Sequence, residues 1–99
     1  MTLFLVLIRY TRPPGELDRL RPAHREFLRR HYDAGRLIVS GPRVDRTGGV
    51  VLACGGSAGE VAAWFADDPY ASAGAAVHEV VEFTVGSHAD GFERFLPPS

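Results

Sequence analysis

Two segments of this chain are apolar at every position, and this feature restricts the fold more than any other. Residues 3–8 read LFLVLI and residues 50–54 read VVLAC. A half-exposed strand alternates apolar and polar residues, whereas a strand covered on both faces is apolar throughout. Both segments are therefore predicted to be strands of a sheet that is covered on both sides.

The remaining segments complete the element order β-α-β-β-α-β. The first helix is expected over roughly Leu17 to Ala34, with Pro22 in the first turn of its main part and Gly35 just past its end. A second helix is expected to begin at the capping box SAGE, residues 57–60, and to end at the DDP sequence because proline disfavours helix in the residue before it. The strand that contains LFLVLI is predicted over residues 2–10, and two further strands are predicted at residues 37–42 and 75–85.

This order predicts an α+β, ferredoxin-like fold in which a four-stranded antiparallel sheet carries two helices on one face. The helices cover one side of the sheet, and no other segment is large enough to cover the second. We therefore expect a homodimer that pairs sheet to sheet; the alternative is an exposed apolar face, which favours aggregation. The domain is predicted over residues 1–86.

Residues 87–99 are predicted to form a tail that packs on the domain or on the dimer partner. Its aromatic residues, Phe92 and Phe95, have two interpretations. They form a lid over a pocket, or they form a patch that packs against the partner subunit. The second interpretation is favoured slightly because Pro97 and Pro98 end the segment stiffly.

Composition excludes several classes of function. Among the 99 residues there is no lysine, asparagine or glutamine, which excludes a Schiff-base lysine, a P-loop lysine and an amide-lined oxyanion hole. The formal net charge of −1 gives no indication of a nucleic-acid or anionic-membrane partner. The apolar N-terminal run is too short for a signal peptide or a membrane span, so a cytoplasmic protein is the default expectation.

The single cysteine and three of the four histidines are not expected to hold a cofactor. Cys54 lies in an apolar run, where a buried structural thiol is favoured over a nucleophile. A haem or metal protein is a further class to consider, but His31, His78 and His88 lie on different elements without the spacing of metal ligands. Each is interpreted as structural or solvent-exposed, and no metal and no cofactor are expected.

His24 is the candidate catalytic residue because of its position on the first helix. It lies one turn from Leu20 and from Leu28, inside the apolar stripe that faces the sheet. One interpretation is a core histidine bonded to a backbone carbonyl. The other is a general base, which requires a group that holds the ring in one tautomer.

Asp68 is the candidate for that group. It ends the second helix, and neighbouring helices on one side of the sheet can bring its carboxylate to His24. The alternative for Asp67 and Asp68 is local turn chemistry, in which each side chain bonds to its own backbone. Asp67 fits that alternative, whereas Pro69 makes the backbone of Asp68 extended and directs its side chain away from the helix axis.

Several short motifs follow one another in a fixed order between residues 3 and about 85. They are His24 with Phe27 and Leu28, Gly35, SGP at residues 40–42, GG at 48–49, DPY at 68–70 and AG at 73–74. In this order the chain resembles the YciI-like proteins, the YCII-related domain, a branch of the dimeric α/β-barrel superfamily. The resemblance implies a ferredoxin-like protomer that dimerises through its sheet and has a pocket near the first helix.

The resemblance also implies a catalytic pair at His24 and Asp68. The residues expected to bind substrate are Ser40, Pro42, Pro69 and Tyr70. One relative is a dehydrochlorinase of a chlorinated hydroxyhydroquinone, and superfamily cousins isomerise muconolactones. We therefore expect a small cofactor-independent enzyme that transfers a proton, by elimination or isomerisation, on a small oxygenated ring or acid.

Two questions stay open at the level of the sequence. The first is whether any reaction occurs, because the same pocket suits a non-catalytic module that binds a small metabolite. The second is the role of Arg9 and Arg43 at strand ends, which either attract an anionic group or are solvated charges.

Overall fold

Four strands form one antiparallel sheet in the order β2-β3-β1-β4, so the two apolar strands occupy its centre. The computed structural model describes residues 1–96. Its strands are β1 (Thr2–Tyr10), β2 (Leu37–Pro42), β3 (Gly48–Cys54) and β4 (Ala76–Thr84), and its helices are α1 (Pro14–Asp33), α2 (Ala58–Ala66) and α3 (Pro69–Ser72), followed by a 3₁₀ turn at Phe92–Phe95. The predicted α+β, ferredoxin-like arrangement is confirmed.

Alternate residues of the central strands build the core beneath the helices. Phe4 and Val6 of β1 and Val51 of β3 are almost completely buried and pack with residues of both long helices. The helical members of this core are Leu17, Phe27, Val61 and Phe65. Burying each such side chain stabilises the fold by roughly 1.5–3 kcal/mol, so the helices are fixed firmly on this face.

The opposite face of the sheet is also apolar. Leu5 of β1 pairs with Leu52 on one side and with Val81 on the other. Val81 is 38% exposed and Phe83, on the same face, is 42% exposed. One face of the sheet therefore presents apolar side chains to solvent in the single chain.

Helix α1 differs from the expected helix in where it starts. It begins at Pro14, and Pro22 lies in its interior rather than in its first turn. Pro14 suits the start because the first helical residues need no N–H donor and proline has a helical φ. Pro22 has no N–H to donate to the carbonyl of Asp18, and the helix continues despite this missing bond.

The second predicted helix is α2, which ends before the DDP sequence as expected, and a further short helix follows it. Ser57 caps α2, and its Oγ accepts the N–H of Glu60 at 3.2 Å, as the capping box predicts. After α2 ends, Pro69 starts the short helix α3, which sequence reasoning missed. None of the helices within residues 1–96 has the length and apolar character that a membrane crossing requires.

The tail is described as far as Leu96. Phe92 and Phe95 contact each other with ring centroids 5.7 Å apart, and Phe95 is largely exposed. Pro97 and Pro98, on which the expectation of a stiff end depends, lie outside the described residues. The domain boundary near residue 86 and the role of the tail stay predictions.

Candidate functional site

Asp68 is a fully buried carboxylate that accepts hydrogen bonds from three directions. Its Oδ1 lies 2.7 Å from Nδ1 of His24 and 3.1 Å from the backbone N of Tyr70, and its Oδ2 lies 3.0 Å from Nε2 of His78. Among residues 1–96 it is the one charged side chain that is buried. A buried carboxylate without partners would be strongly destabilising, so the three donors explain how the fold tolerates it.

The surroundings of Asp68 keep it ionised. Burial raises the pKa of its carboxyl group, but the hydrogen bonds from His24 and His78 outweigh burial, and the pKa is lowered from its usual 3.8. An ionised carboxylate can only accept hydrogen bonds. Nδ1 of His24 and Nε2 of His78 must therefore carry the protons in these two contacts.

The local sequence explains the position of this carboxylate. Asp68 has an extended backbone, with φ −60° and ψ 128°, because Pro69 follows it. In that conformation it caps α3, with its side chain accepting the N–H of Tyr70. The sequence allowed either a contact with His24 or a local bond to the backbone, and Asp68 makes both.

His24 is held from two sides. Its Nδ1 binds Asp68, and its ring stacks on Tyr70 with centroids 4.0 Å apart and planes inclined by 13°. The side chain is 12% exposed, and no hydrogen bond to its Nε2 is formed by residues 1–96. In the neutral imidazole with its proton on Nδ1, Nε2 is the acceptor nitrogen, and His24 is one of the residues that line the adjoining cleft.

His78 belongs to the same cluster, although the sequence analysis interpreted it as structural or solvent-exposed. Its side chain is 10% exposed and shares Asp68 with His24. In β4, His78 lies on the same face as buried Ala76 and half-buried Val80, which is the face toward the helices. The period of two along this strand was therefore a signal that could have placed His78 on the helix-facing side of the sheet.

A cleft of about 1170 Å³ opens beside His24. Its floor is the helix-facing side of β1 and β3, one wall is α1, and the other wall is the β2–β3 hairpin. The structure places Ser40, Pro42 and Tyr70 on its lining, whereas Pro69 is not among the lining residues. Asp68 lies behind His24 and reaches the cleft only through the imidazole.

Two of these lining residues have defined surroundings. The Oγ of Ser40 lies 2.7 Å from Oη of Tyr32, which ties β2 to α1. Tyr70 is almost completely buried. Burial, and then neighbouring Tyr10, raise the pKa of the Tyr70 phenol. Tyr70 is therefore protonated at neutral pH.

The two glycines at residues 48–49 have different roles beside the cleft. A Cβ on Gly48 would lie 1.7 Å from the carbonyl oxygen of Ile8, so only glycine allows β3 to approach β1 there. A Cβ on Gly49, which lines the cleft, would lie 3.3 Å from the carbonyl oxygen of Gly41. Gly48 thus permits the pairing of β3 with β1, and Gly49 leaves the cleft without a side chain at that position.

The other candidate groups lie apart from this cluster. His31 packs against Phe27 with ring centroids 4.6 Å apart, and His88 is 3.7 Å from Glu93 in the tail. Cys54 is buried, and burial raises the pKa of its thiol. Within the described residues, no three His, Cys, Asp or Glu side chains are arranged to hold a metal ion.

A protein of known structure shares this fold. It is the 5-chloro-2-hydroxyhydroquinone dehydrochlorinase from Burkholderia phenoliruptrix, in complex with 2,5-dihydroxybenzoquinone. The two sequences are 24% identical, the match covers 83% of this chain and 91% of the dehydrochlorinase chain, and the TM-score is 0.66. No curated protein matches the sequence.

The model of one protein family covers most of the chain. It spans residues 3–84 and describes the YCII-related domain. This range contains the three helices, the cluster around Asp68 and the four strands, apart from Thr2 at the start of β1. The chain therefore belongs to the YCII-related domain family.

Proposed function

We propose that this protein is a small cofactor-independent enzyme that transfers a proton on a small oxygenated ring or acid, with His24 as the acid–base group. The observation that carries the proposal is the geometry of His24. Its Nδ1 is fixed by a buried carboxylate at 2.7 Å, and its other nitrogen is free beside a large cleft. This arrangement is typical of a positioned general base.

The proposed reaction begins at a carbon next to a carbonyl or phenol oxygen of the substrate. His24 Nε2 removes the proton from that carbon, and the electron pair of the C–H bond forms a new double bond. In an elimination, a leaving group departs as an anion from the neighbouring carbon. In an isomerisation, the imidazolium returns the proton to another carbon of the same molecule.

The other residues of the site support this transfer. Asp68 carries a negative charge next to the imidazolium and stabilises it, and it holds the ring in the required tautomer. Ser40 donates a hydrogen bond to a substrate oxygen, while Tyr70 and Pro42 shape the cleft. Pro69 acts through the backbone conformation of Asp68. Positioned proton transfer of this kind accelerates a reaction about 10²–10⁴-fold.

The size of the cleft and the structure of similar fold both agree with this substrate class. Clefts that bind small molecules have volumes of about 300–1,000 Å³, and the cleft beside His24 is of about that size. The dehydrochlorinase of similar fold binds a planar, oxygenated ring. A ring of that kind would lie with its edge toward Nε2 of His24.

We also propose that the protein is a homodimer that buries the apolar face of the sheet. The face includes Leu5, Leu52, Val81 and Phe83. A second copy of the same face is the simplest cover, because apolar side chains would then meet apolar side chains. Such burial of apolar area is the main favourable term in stable association.

Hydrogen–deuterium exchange tests the proposed function without knowledge of the natural substrate. The ring protons of 2,5-dihydroxybenzoquinone are followed by NMR in heavy water with wild-type protein and with His24→Gln. We expect wild type to accelerate the exchange and His24→Gln to lose at least about 10²-fold. His88→Gln, a change in the exposed tail, is the matched control and keeps the wild-type rate.

Two results would count against an enzyme of this kind. Equal exchange with wild type and His24→Gln would show that His24 is not the base. Binding of the quinone without any acceleration, in every variant, would favour the alternative of a non-catalytic metabolite-binding module.

A further inference from the structure

Arginine residues from three parts of the chain line the cleft beside His24. Two come from the end of β1 and the loop after it, two from α1 and two from the β2–β3 hairpin. They are Arg9, Arg12, Arg21, Arg25, Arg43 and Arg46. Asp18 is the single acidic residue that lines the cleft within the described part of the chain.

This distribution is uneven compared with the whole chain. The sequence has 11 basic and 12 acidic residues and a net charge of −1. Six arginines and one aspartate nevertheless give the cleft lining a formal charge of +5. A concave surface of one sign concentrates the electrostatic potential and attracts ligands of the opposite sign.

Only part of this positive charge is neutralised by neighbouring carboxylates. Arg21 contacts Asp18 at 2.6 Å, and Arg43 contacts Asp45 at 3.3 Å. Within residues 1–96, the other four arginines of the cleft lining have no carboxylate within 4.0 Å.

Of these four arginines, Arg12 contacts the carbonyl oxygen of Gly74, and Arg9 lies on the strand face opposite the helices, which leaves Arg25 and Arg46. Arg25 lines the cleft from α1 and Arg46 lines it from the loop between β2 and β3, so these two charges come from different elements of the same cleft.

We propose that the ligand of this cleft is a small organic anion, whose carboxylate or phosphate group is bound by Arg25 and Arg46. This inference rests on the proposed function, because it uses the cleft in which His24 acts. The guanidinium group binds such oxyanions with two parallel hydrogen bonds, which fixes their orientation as well as their position. The uncharged end of the ligand then lies toward Tyr70 and Nε2 of His24.

The arrangement separates binding from chemistry. The anionic group stays bound to Arg25 and Arg46, and the carbon that loses its proton lies beside the imidazole of His24. The negative charge of the ligand also offsets the repulsion between the arginines and the imidazolium that forms during proton transfer. An uncharged ligand of the same shape lacks both effects.

Two ligands of nearly equal shape test this inference. Gentisate carries a carboxylate, and gentisamide carries an uncharged amide on the same hydroxylated ring. Their dissociation constants are measured by NMR titration with wild type, with Arg25→Gln/Arg46→Gln and with Arg29→Gln/Arg30→Gln. The last variant removes the same charge from α1 outside the cleft.

We expect wild type to bind gentisate at least about tenfold more tightly than gentisamide at low salt. The preference should fall below about threefold in Arg25→Gln/Arg46→Gln and should persist in the α1 control. It should also fall in about 1 M salt, where the Debye length is about 3 Å. Competition by acetate and by inorganic phosphate shows whether carboxylate or phosphate is the preferred oxyanion.

Equal binding of gentisate and gentisamide, or the absence of binding by both, would overturn the inference. A preference that survives in Arg25→Gln/Arg46→Gln would overturn it as well. These outcomes are independent of the exchange experiment with His24→Gln. Anion preference without exchange refutes the enzyme alone, and exchange without anion preference refutes the anion site alone.

Discussion

Nδ1 of His24 lies 2.7 Å from Oδ1 of Asp68, although 44 positions separate the two residues in the chain. The contact joins α1 to the start of α3, and it exists because Pro69 turns the chain just after α2. A second imidazole, from His78 of β4, approaches the same carboxylate at 3.0 Å. Three elements of the fold therefore meet at one buried charge.

The first prediction concerns the charge of Asp68. In Asp68→Asn, the neutral amide no longer stabilises the imidazolium or imposes the Nδ1–H tautomer, so the exchange rate should fall about 10²–10⁴-fold. Dissociation constants for gentisate should change little. A rate within about twofold of wild type would mean that Asp68 has no part in proton transfer.

The second prediction concerns stability at acid pH. The folded-state pKa of Asp68 is lowered from 3.8, so its ionised form stabilises the fold at pH values above 3.8 and this contribution disappears as the pH falls through the lower folded-state pKa. Urea unfolding of wild type and Asp68→Asn should therefore give the full difference in free energy at pH values well above 3.8. The difference should shrink below pH 3.8, and a constant difference would contradict the pKa shift.

The third prediction assigns a positioning role to His78. His78→Ala removes one donor from a buried carboxylate, at a cost of about 1–3 kcal/mol in the free energy of unfolding. The pKa of Asp68 should rise, because the hydrogen bond from His78 is one of the causes that lower it, so the acid loss of stability should move to higher pH.

The variant His78→Gln is the control for this role. Its amide N–H donates to Oδ2 from a similar position, so it should restore most of the pH profile and of the exchange rate. Equal profiles for His78→Ala and wild type would show that His24 and Tyr70 suffice to hold the carboxylate.

The fourth prediction concerns the glycine pair under the cleft. Gly48→Ala places a Cβ against the backbone of Ile8, which has no flexible side-chain atom that could move away. The change should lower the free energy of unfolding by about 1–3 kcal/mol. Gly41→Ala is the matched control in the neighbouring strand, because a Cβ there meets nothing within 4 Å. Its effect should stay within about 0.5 kcal/mol, and equal effects of the two changes would contradict the close approach.

The fifth prediction concerns the apolar face of the sheet. Val81→Arg places a charge beside Leu5 on the apolar face of the sheet and should yield monomers in sedimentation equilibrium, with unchanged secondary structure by circular dichroism. Ala62→Arg, on the exposed side of α2, should stay dimeric. A monomeric wild type would contradict the proposed pairing.

The fold was predictable from the sequence because its strongest signals are local. The strands LFLVLI and VVLAC are continuous apolar runs, and Ser57 and Glu60 mark the start of α2 by their own spacing. Helix α1 begins at Pro14, three residues before the predicted start at Leu17, and Pro22 lies in its interior. Packing of its apolar side chains holds the helix together across a proline that local propensity alone treats as a breaker.

The site was less accessible to the same reasoning. The inward orientation of His24 follows from helical periodicity, and the extended backbone of Asp68 follows from Pro69. The contact of His78 with Asp68 depends on how β4 lies beneath α3, which no sequence spacing encodes. The arginines that line the cleft likewise come from three parts of the chain that meet only in the folded protein.

The capping role of Asp68 has a consequence for interpreting relatives of this protein. Because the same carboxylate starts α3 and anchors both imidazoles, a lineage that stopped turning over its ligand would still need it in order to fold. Retention of this aspartate in a homologue is thus weak evidence for catalysis. The more informative feature is Nε2 of His24, which makes no hydrogen bond within residues 1–96. A homologue that keeps at position 24 a donor to the aspartate but lacks this second nitrogen has kept the fold without the proposed base.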